Sequence, residues 1–190
     1  MDLTTLAKVQ TLDKSYVDAT QETLDMIEML ITSVSAMVEK YLDRTILIGT
    51  YTEKFNLTSY CNPFLVKAWP ITSVTSVVND DYTIPSSDIE YEAGRKDRVA
   101  INDNILLAGY GRLTITYTGG MATDTADFVA NFPDIEMEVI KQVLFEAARV
   151  KTVGVKSITI DEQTTTLETN NLLPSTRRLL NSYKRKVQIV

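Results

Sequence analysis

The sequence predicts an α+β protein in which long antiparallel helices pack together and a small antiparallel β-sheet, or partial barrel, is inserted between them. Apolar residues recur at three- and four-residue steps in residues 24–42 and 135–150, which is the period of a helix with one buried face. Residues 45–118 instead contain short runs rich in β-branched and aromatic residues, broken by turn residues. With 190 residues, 44% of them hydrophobic and 23% charged, the chain is large and apolar enough to bury a core.

The first 44 residues predict two helices. A short one over residues 4–12 is capped by a threonine. Asp18 stands three residues before Gln21, a variant of the capping box, and predicts a second helix of about six turns that ends near Asp43-Arg44. The apolar face of this second helix consists of Leu24, Ile27, Leu30, Ile31, Val34, Met37, Val38, Tyr41 and Leu42. Its opposite face carries Glu22, Asp25, Glu28, Glu39 and Lys40.

The β insertion is predicted at about residues 45–120. ILIGTYTEKFNL predicts one strand or two, and FLVKAW predicts a short strand stopped by Pro70. ITSVTSVVN has Ile71, Val74 and Val77 at three-residue spacing, but its Thr, Ser and Val content favours a strand with one irregularity. Residues 79–81 predict a turn, and the segment YTI follows it. IEYEA alternates apolar and acidic residues, and residues 94–97 predict a hairpin turn between it and RVAI. LTITYTGG is a strong alternating strand that ends at its two glycines.

The last third of the chain returns to helix at about Pro133, with Asn131 as the cap and Gly154 beyond the end. Residues 155–173 are polar and rich in threonine, and predict an extended arm or a loose hairpin. Pro174 opens a short terminal helix, which is followed by the tail KRKVQIV. The predicted domains are residues 1–154, a helical core with the β insertion, and residues 155–190, the arm, short helix and basic tail.

Charge is distributed unevenly along the chain. Residues 141–190 contain nine basic and four acidic residues, a net charge of +5, which leaves −11 for residues 1–140 because the whole chain carries −6. This asymmetry favours docking onto an acidic partner, or like molecules that meet head to tail. An ordinary solvated C-terminal helix is the alternative.

Catalytic and metal-binding patterns are missing from the sequence. It has no histidine and a single cysteine, Cys61, which excludes the usual Ser-His and Cys-His pairs and cysteine-rich zinc sites. Gly109-Tyr110-Gly111 is an isolated G-x-G that predicts a turn, and the pair Asp124 and Asp127 predicts cap chemistry. We therefore predict no catalytic residues, no metal site, no cofactor and no enzymatic activity. No apolar run approaches the roughly 18 residues of a membrane span, so no membrane association is expected.

The order of segments is more specific than any single motif. The helix ending in VEKYLDRTI is followed by LVKAWPITSVTSVV, GRLTITYTGG, a second aliphatic helix, a Gly-Val-Lys-Ser arm and LLPSTRRLLNSYKR. In this order, over nearly the whole chain, the sequence resembles the head-tail connector (adaptor, or head completion) proteins of tailed phages.

The resemblance implies a structural virion protein that forms a homo-oligomeric ring, a dodecamer in that family, between the portal and the tail. It implies docking to the portal protein and to the next neck or tail protein, assembly in the host cytoplasm, and genomic DNA that passes through the channel without specific binding. The family's terminal segment reaches toward the portal. The matching positions here, the predicted portal-side residues, are Arg177, Arg178, Tyr183, Lys184, Arg185, Lys186, Val187 and Ile189. Two alternatives stay open: another phage neck or tail-completion protein, and a small enzyme or regulatory binding module.

Overall fold

The structure is a computed structural model of the chain, and it describes residues 1–57, 63–91, 97–102, 106, 109–150, 157–160, 163–166 and 172–184. At residues 91, 157–160 and 163–166 it describes the backbone alone. The chain forms two compact units. The helical unit is built from residues 1–42 and 128–183, and the β unit from residues 43–127 together with Lys184.

Helices α2 and α4 are the long antiparallel pair that the apolar periodicity predicted, and they pack against each other in the helical unit. The helices are α1 (Leu6–Leu12), α2 (Gln21–Leu42), α3 (Thr125–Asn131), α4 (Pro133–Val150) and α5 (Pro174–Tyr183). The core of this unit is formed by Val9, Ile27, Ile31, Val34, Val38, Leu42, Phe128, Ile135, Val139, Ile140, Val143, Ala147, Leu172 and Leu180.

The starts of the two N-terminal helices test the predicted caps. α1 has its predicted threonine cap, because the side chain of Thr5 accepts a hydrogen bond from the Lys8 amide. The capping role predicted for Asp18 is wrong. α2 begins only at Gln21, and the carbonyl of Thr20 accepts the first helical hydrogen bonds. A capping box places its first residue directly before the helix, and Asp18 lies two residues too early.

The predicted start of the long C-terminal helix is also only partly right. α4 does begin at Pro133, but Asn131 is the last residue of a separate helix, α3, and the residue directly before α4 is Phe132. The Phe132 carbonyl accepts the hydrogen bond from the Glu136 amide instead. The predicted cap chemistry of Asp124 is confirmed at the start of α3, where its carboxylate accepts from the Asp127 amide.

Three antiparallel sheets are described, and they confirm the predicted α+β class. Their strands are β1 (Gly49–Leu57), β2 (Phe64–Leu65), β3 (Ile71–Asn79), β4 (Tyr82–Thr83), β5 (Ile89–Tyr91), β6 (Arg98–Ile101), β7 (Gly109–Gly119), β8 (Ser157–Ile160) and β9 (Gln163–Thr166). The largest sheet has the order β1-β7-β3-β4, the second β2-β6-β5, and β8 and β9 form a hairpin within the predicted arm.

Two strand predictions need comment. Strand β3 has the predicted irregularity: its register against β7 shifts between Ile71 and Ser73 and again between Val74 and Ser76. These bulges explain why apolar residues follow at three-residue spacing and still point inward. The short strand predicted at FLVKAW is present but shorter than predicted, since regular pairing covers only Phe64–Leu65, followed by an isolated bridge at Ala68. The predicted turn at residues 94–97 lies mostly outside the described residues.

A tyrosine occupies the centre of the β unit's core. Tyr117 on β7 is fully buried. Its hydroxyl donates a short hydrogen bond to Glu53 and accepts one of 2.9 Å from the Ala68 amide. Burial and the bond to Glu53 both raise the pKa of Tyr117. The same carboxylate accepts a bond of 2.8 Å from the Lys67 amide, so Glu53 and Tyr117 fix the chain beside β7 where it lacks regular pairing.

Candidate partner-binding surface

Helix α5 carries the predicted portal-side residues that fall within the described chain. Arg178 and Lys184 are exposed, whereas Arg177 and Tyr183 are half-buried. Among the described atoms, the Nε of Arg177 is buried without a hydrogen-bond partner. Arg185, Lys186, Val187 and Ile189 lie outside the described residues. The structure therefore places four of the eight residues, and it separates them into exposed cations and side chains that face the body.

Tyr183 is an anchor of the last turn of α5. Its hydroxyl donates a hydrogen bond of 2.8 Å to Asp134, at the start of α4. Its ring meets Phe132 edge-on at 6.2 Å, and Phe132 stacks at 5.4 Å on the buried Phe128. Burial, followed by the bond to Asp134, raises the pKa of Tyr183. The side chain predicted to contact a partner thus fixes the point at which the basic tail leaves the helical unit.

Helix α5 packs against a polar stripe along α4. Its members, Asp134, Glu138, Gln142 and Glu146, recur every four residues and so share one face of the helix. Glu138 accepts a bond of 3.1 Å from the Thr176 hydroxyl, and Gln142 accepts one of 2.8 Å from the amide of Leu173. Because the end of α5 meets the start of α4, and the start of α5 meets its middle, the two helices run antiparallel.

Glu138 is the electrostatic centre of this contact, since its side chain is buried although it is a carboxylate. Burial alone would raise its pKa, but hydrogen bonds from Lys141, Ser175 and Thr176 outweigh the burial and lower the pKa of Glu138 below its ordinary value. Lys141 also forms an ion pair of 2.7 Å with it. The carboxylate is therefore held in its charged form, and two of its donors, Ser175 and Thr176, are supplied by α5.

Further contacts complete the seat of α5. The Tyr41 hydroxyl near the end of α2 donates a bond of 2.9 Å to Asn181. Leu172 and Leu180 are buried in the core of the helical unit, as is Thr176. α5 is thus a fixed platform that presents Arg178 outward and leads into the tail.

Sequence reasoning missed the residues that seat α5. From the sequence alone, Asp134 and Glu138 indicate no more than acidic residues near the positive end of the helix dipole. The four-residue spacing that continues through Gln142 to Glu146 was the available signal, because a polar stripe beside an apolar one predicts a second, polar contact. The sequence placed Tyr41 on the apolar face of α2, and nothing in it indicated that the Tyr41 hydroxyl would bond to α5.

Two further findings concern metal binding and membrane spanning. In the part of the chain that the structure describes, no group of three or more Cys, Asp or Glu side chains is arranged to hold a metal ion. None of the described helices is long and apolar enough to cross a membrane.

Comparison with known proteins gives one family and one fold. The model of a family described as "Head completion protein" matches residues 2–186. A comparison with curated protein sequences found no match.

Solved chains with the same fold come from gene transfer agent (GTA) particles. A chain from the "Neck of empty GTA particle computed with C6 symmetry" is 12% identical, with a TM-score of 0.58, over 99% of this chain and 92% of that one. A chain from the "Virion of native gene transfer agent (GTA) particle" is 13% identical, with a TM-score of 0.56 and the same coverage. A chain from the "Neck of native GTA particle computed with C12 symmetry" is 11% identical, with a TM-score of 0.50, over 100% and 96%.

Proposed function

The chain belongs to the head completion protein family, and from this premise we propose that its copies form the ring that joins the capsid to the tail in the neck of a phage-like virion. Its role is that of a head-tail connector, a structural protein of the virion. The family match carries this conclusion because residues 2–186 include both units and the whole of α5. The GTA chains with the same fold support the location, since two of them come from necks.

The ring contains twelve copies in our proposal. The GTA necks that contain chains of this fold were computed with six-fold and with twelve-fold symmetry. Six-fold symmetry is contained in twelve-fold symmetry, so one twelve-copy ring is compatible with both. Rings require a heterologous contact, in which two different surfaces of the same chain meet around a closed rotation. The uneven charge along the chain, −11 in residues 1–140 and +5 after them, favours such a contact between unlike parts of neighbouring copies.

The portal protein binds the C-terminal segment in our proposal. The contacts would be made by the exposed Arg178 and Lys184, by Arg177, and by Arg185, Lys186, Val187 and Ile189 of the tail, with Tyr183 setting the direction of that tail. Exposed cations steer association with an acidic surface and fix its orientation. The seat on α4 supports this because an anchored helix loses little conformational entropy when a partner binds.

Genomic DNA passes through the ring without specific binding in our proposal, and the next neck or tail protein binds on the other side. A chain with net charge −6 repels phosphates, which favours sliding over retention. We further propose that the protein catalyses no reaction, since a connector acts through its shape and its contacts.

The test of portal docking is a binding measurement with the portal ring. The double variant Arg178→Glu/Lys184→Glu reverses two exposed charges beside the tail. The control, Lys8→Glu/Lys14→Glu, makes the same charge change at exposed lysines of the N-terminal segment. We expect at least a tenfold loss of portal affinity for the first variant and less than a twofold change for the control. Equal losses would contradict a specific C-terminal contact, and no binding by the wild-type chain would contradict the connector role itself.

A further inference from the structure

Strand β1 is a long edge strand of the largest sheet, whose order is β1-β7-β3-β4. It has nine residues, and its register against β7 is regular from Gly49 to Phe55. The opposite edge is built differently, because β3 has two bulges and β4 pairs with the residues at its end. Short, bulged or covered edges resist the addition of another chain, whereas a long regular edge accepts it. Among the described strands of this sheet, β1 is therefore the one suited to receive a further strand.

The apolar layer of the β unit is complete at β7 and incomplete at β1. Tyr51 and Phe55 of β1 pack against the core but are only half-buried. Their cross-strand partners on β7, Tyr117 and Leu113, are fully buried. Burial of further apolar surface beside the two aromatic rings would be favourable. A strand that added to β1 with apolar residues on this side would therefore extend the core.

The other face of β1 and β7 carries a ladder of threonines. The hydroxyl oxygens of Thr50 and Thr118 are 3.2 Å apart, and those of Thr52 and Thr116 are 3.1 Å apart. Cross-strand threonine pairs of this kind stabilise a sheet. Because successive residues of a strand face opposite sides, the strand that best continues this sheet alternates hydroxyl and apolar residues.

The hairpin in the arm contains a strand with this alternation. β8 has the sequence SITI, in which a serine and a threonine alternate with two isoleucines, whereas β9 has the sequence QTTT and no apolar residue. In the described part of the chain, the partner of β8 is β9, from Ser157 opposite Thr166 to Ile160 opposite Gln163. A two-stranded hairpin is at best marginally stable in water and is stabilised by joining a larger sheet. The hairpin thus lacks a sheet, and β8 has the pattern that fits β1.

The length of the arm allows the hairpin to reach another copy. The arm begins after Val150 and ends before the buried Leu172, and both residues belong to the helical unit. The chain from Val150 to Ile160 spans at most about 35 Å when it is extended. A compact domain of about 100 residues has a radius of gyration of about 13 Å. The arm is therefore long enough to carry the hairpin onto the β unit of an adjacent copy.

We propose that β8 of one copy adds to the outer edge of β1 in the adjacent copy, so that each junction of the ring is a sheet shared between neighbours. This inference rests on the proposed function and names the contact between copies that a ring requires. The edge and the hairpin are different surfaces of the same chain, so the contact is heterologous and generates a ring when its rotation closes.

Strand addition explains why a copy of this chain is the partner. Main-chain hydrogen bonds supply affinity in this mode of recognition, and alternate side chains supply specificity. In the shared sheet, the isoleucine positions of β8 would extend the apolar layer beside Tyr51 and Phe55, and its hydroxyl positions would extend the threonine ladder. A register shift of one residue would exchange the two faces, so only alternate registers satisfy both.

Disulfide crosslinking of assembled rings tests the contact with the full chain. Cys61, the single cysteine, is changed to serine, and Thr159→Cys in β8 is combined with one cysteine in β1 at a time. The β1 positions are the exposed ones, Thr50, Thr52, Lys54 and Asn56. We expect at least one of these pairs to link about half of the copies or more into dimers and longer ladders, because directly paired residues lie within disulfide reach.

The crosslinking control places the second cysteine at Thr72, which is exposed on β3. β3 is separated from β1 by β7, which puts it about 9–10 Å away and beyond disulfide reach of a strand paired with β1. We expect the control to link less than about a tenth of the copies.

The alternation of β8 is tested by Ile158→Ser/Ile160→Ser, with Thr164→Ser/Thr166→Ser in β9 as the matched control. We expect the first variant to need at least ten times more protein for half-maximal ring formation, and the control to stay within twofold of the wild type. Thermal unfolding of each chain before assembly separates a lost contact from a lost fold. If the isoleucine variant does not fold, the crosslinking pattern decides.

Ring formation by a folded isoleucine variant at the wild-type concentration would overturn the inference and leave the connector role intact. Rings in which no β1 position crosslinks to Thr159→Cys, or in which Thr72→Cys crosslinks instead, would also overturn it. A wild-type chain that forms no ring with or without the portal would contradict the proposed function, and the inference with it.

Discussion

The hydroxyl of Thr176 donates a hydrogen bond of 3.1 Å to a carboxylate oxygen of Glu138, and both side chains are buried. This bond joins α5 to the polar stripe of α4. The contact is specific because a buried carboxylate must be satisfied by donors at defined positions. It therefore fixes the register of α5, and with it the direction of the basic tail.

Loss of one partner from this pair should destabilise the helical unit. We expect Thr176→Val, which keeps the shape and removes the donor, to lower the free energy of unfolding by about 1–3 kcal/mol, because it leaves part of a buried charge unpaired. Urea denaturation followed by circular dichroism measures the change. The exposed Thr32→Val on α2 is the matched control and should change stability by less than about 0.5 kcal/mol. A similar change in both variants would contradict the role of Thr176.

The same carboxylate makes stability depend on pH in acid. The hydrogen bonds that it accepts in the folded chain lower the pKa of Glu138 below its ordinary value of 4.5, so the unfolded chain takes up the proton first as the pH falls. Its stabilisation is complete above that value and is lost as the pH falls through the folded pKa. We expect Glu138→Gln to have a shallower decline of stability below about pH 4.5 than the wild type. Parallel declines of the two proteins would contradict this assignment.

In the β unit, the Tyr117 hydroxyl is predicted to matter more than any exposed one. Tyr117→Phe removes the donor to Glu53 and the acceptor of the Ala68 amide while the ring stays in the core. We expect the free energy of unfolding to fall by about 1–3 kcal/mol, because the Glu53 carboxylate and the Ala68 amide each lose a hydrogen-bond partner. Thermal unfolding measures it, with the exposed Tyr110→Phe as the control that should be neutral. Equal melting temperatures for the two variants would contradict the prediction.

Salt should weaken the contact with the portal. If the exposed cations of the C-terminal segment bind an acidic surface, their charges are screened when the Debye length falls from about 10 Å at 0.1 M to about 3 Å at 1 M salt. A few exposed ion pairs contribute about 1–2 kcal/mol together, so we expect portal affinity to fall about tenfold over this range. An affinity that stays constant with salt would point to apolar contacts instead.

The parts of the fold that were predicted from sequence have a local signal. α2 and α4 each bury one apolar face against a common core, so their period appears within the helix itself. β7 alternates because one of its faces is covered. The bulges of β3 also have a local signal, because Ile71, Val74 and Val77 follow at a three-residue spacing that a regular strand would not show.

The parts that were missed depend on partners far away in the chain. α3 is short, and Phe128 is its one buried residue, so it carries no apolar stripe. The bond from Thr176 to Glu138 joins residues 38 positions apart, and the sequence around either residue does not indicate that the other is its partner. The same holds for Tyr117 and Glu53. Polar pairing of this kind is set by the packing of whole elements, which a pattern along one segment does not encode.

The most direct test of the central claim is the mass and shape of the assembled protein. We expect native mass spectrometry and negative-stain electron microscopy of the full chain, alone and mixed with its portal ring, to show a cyclic particle of twelve copies with a central channel, at least in the presence of the portal. A chain that remains a monomer under both conditions would contradict the account.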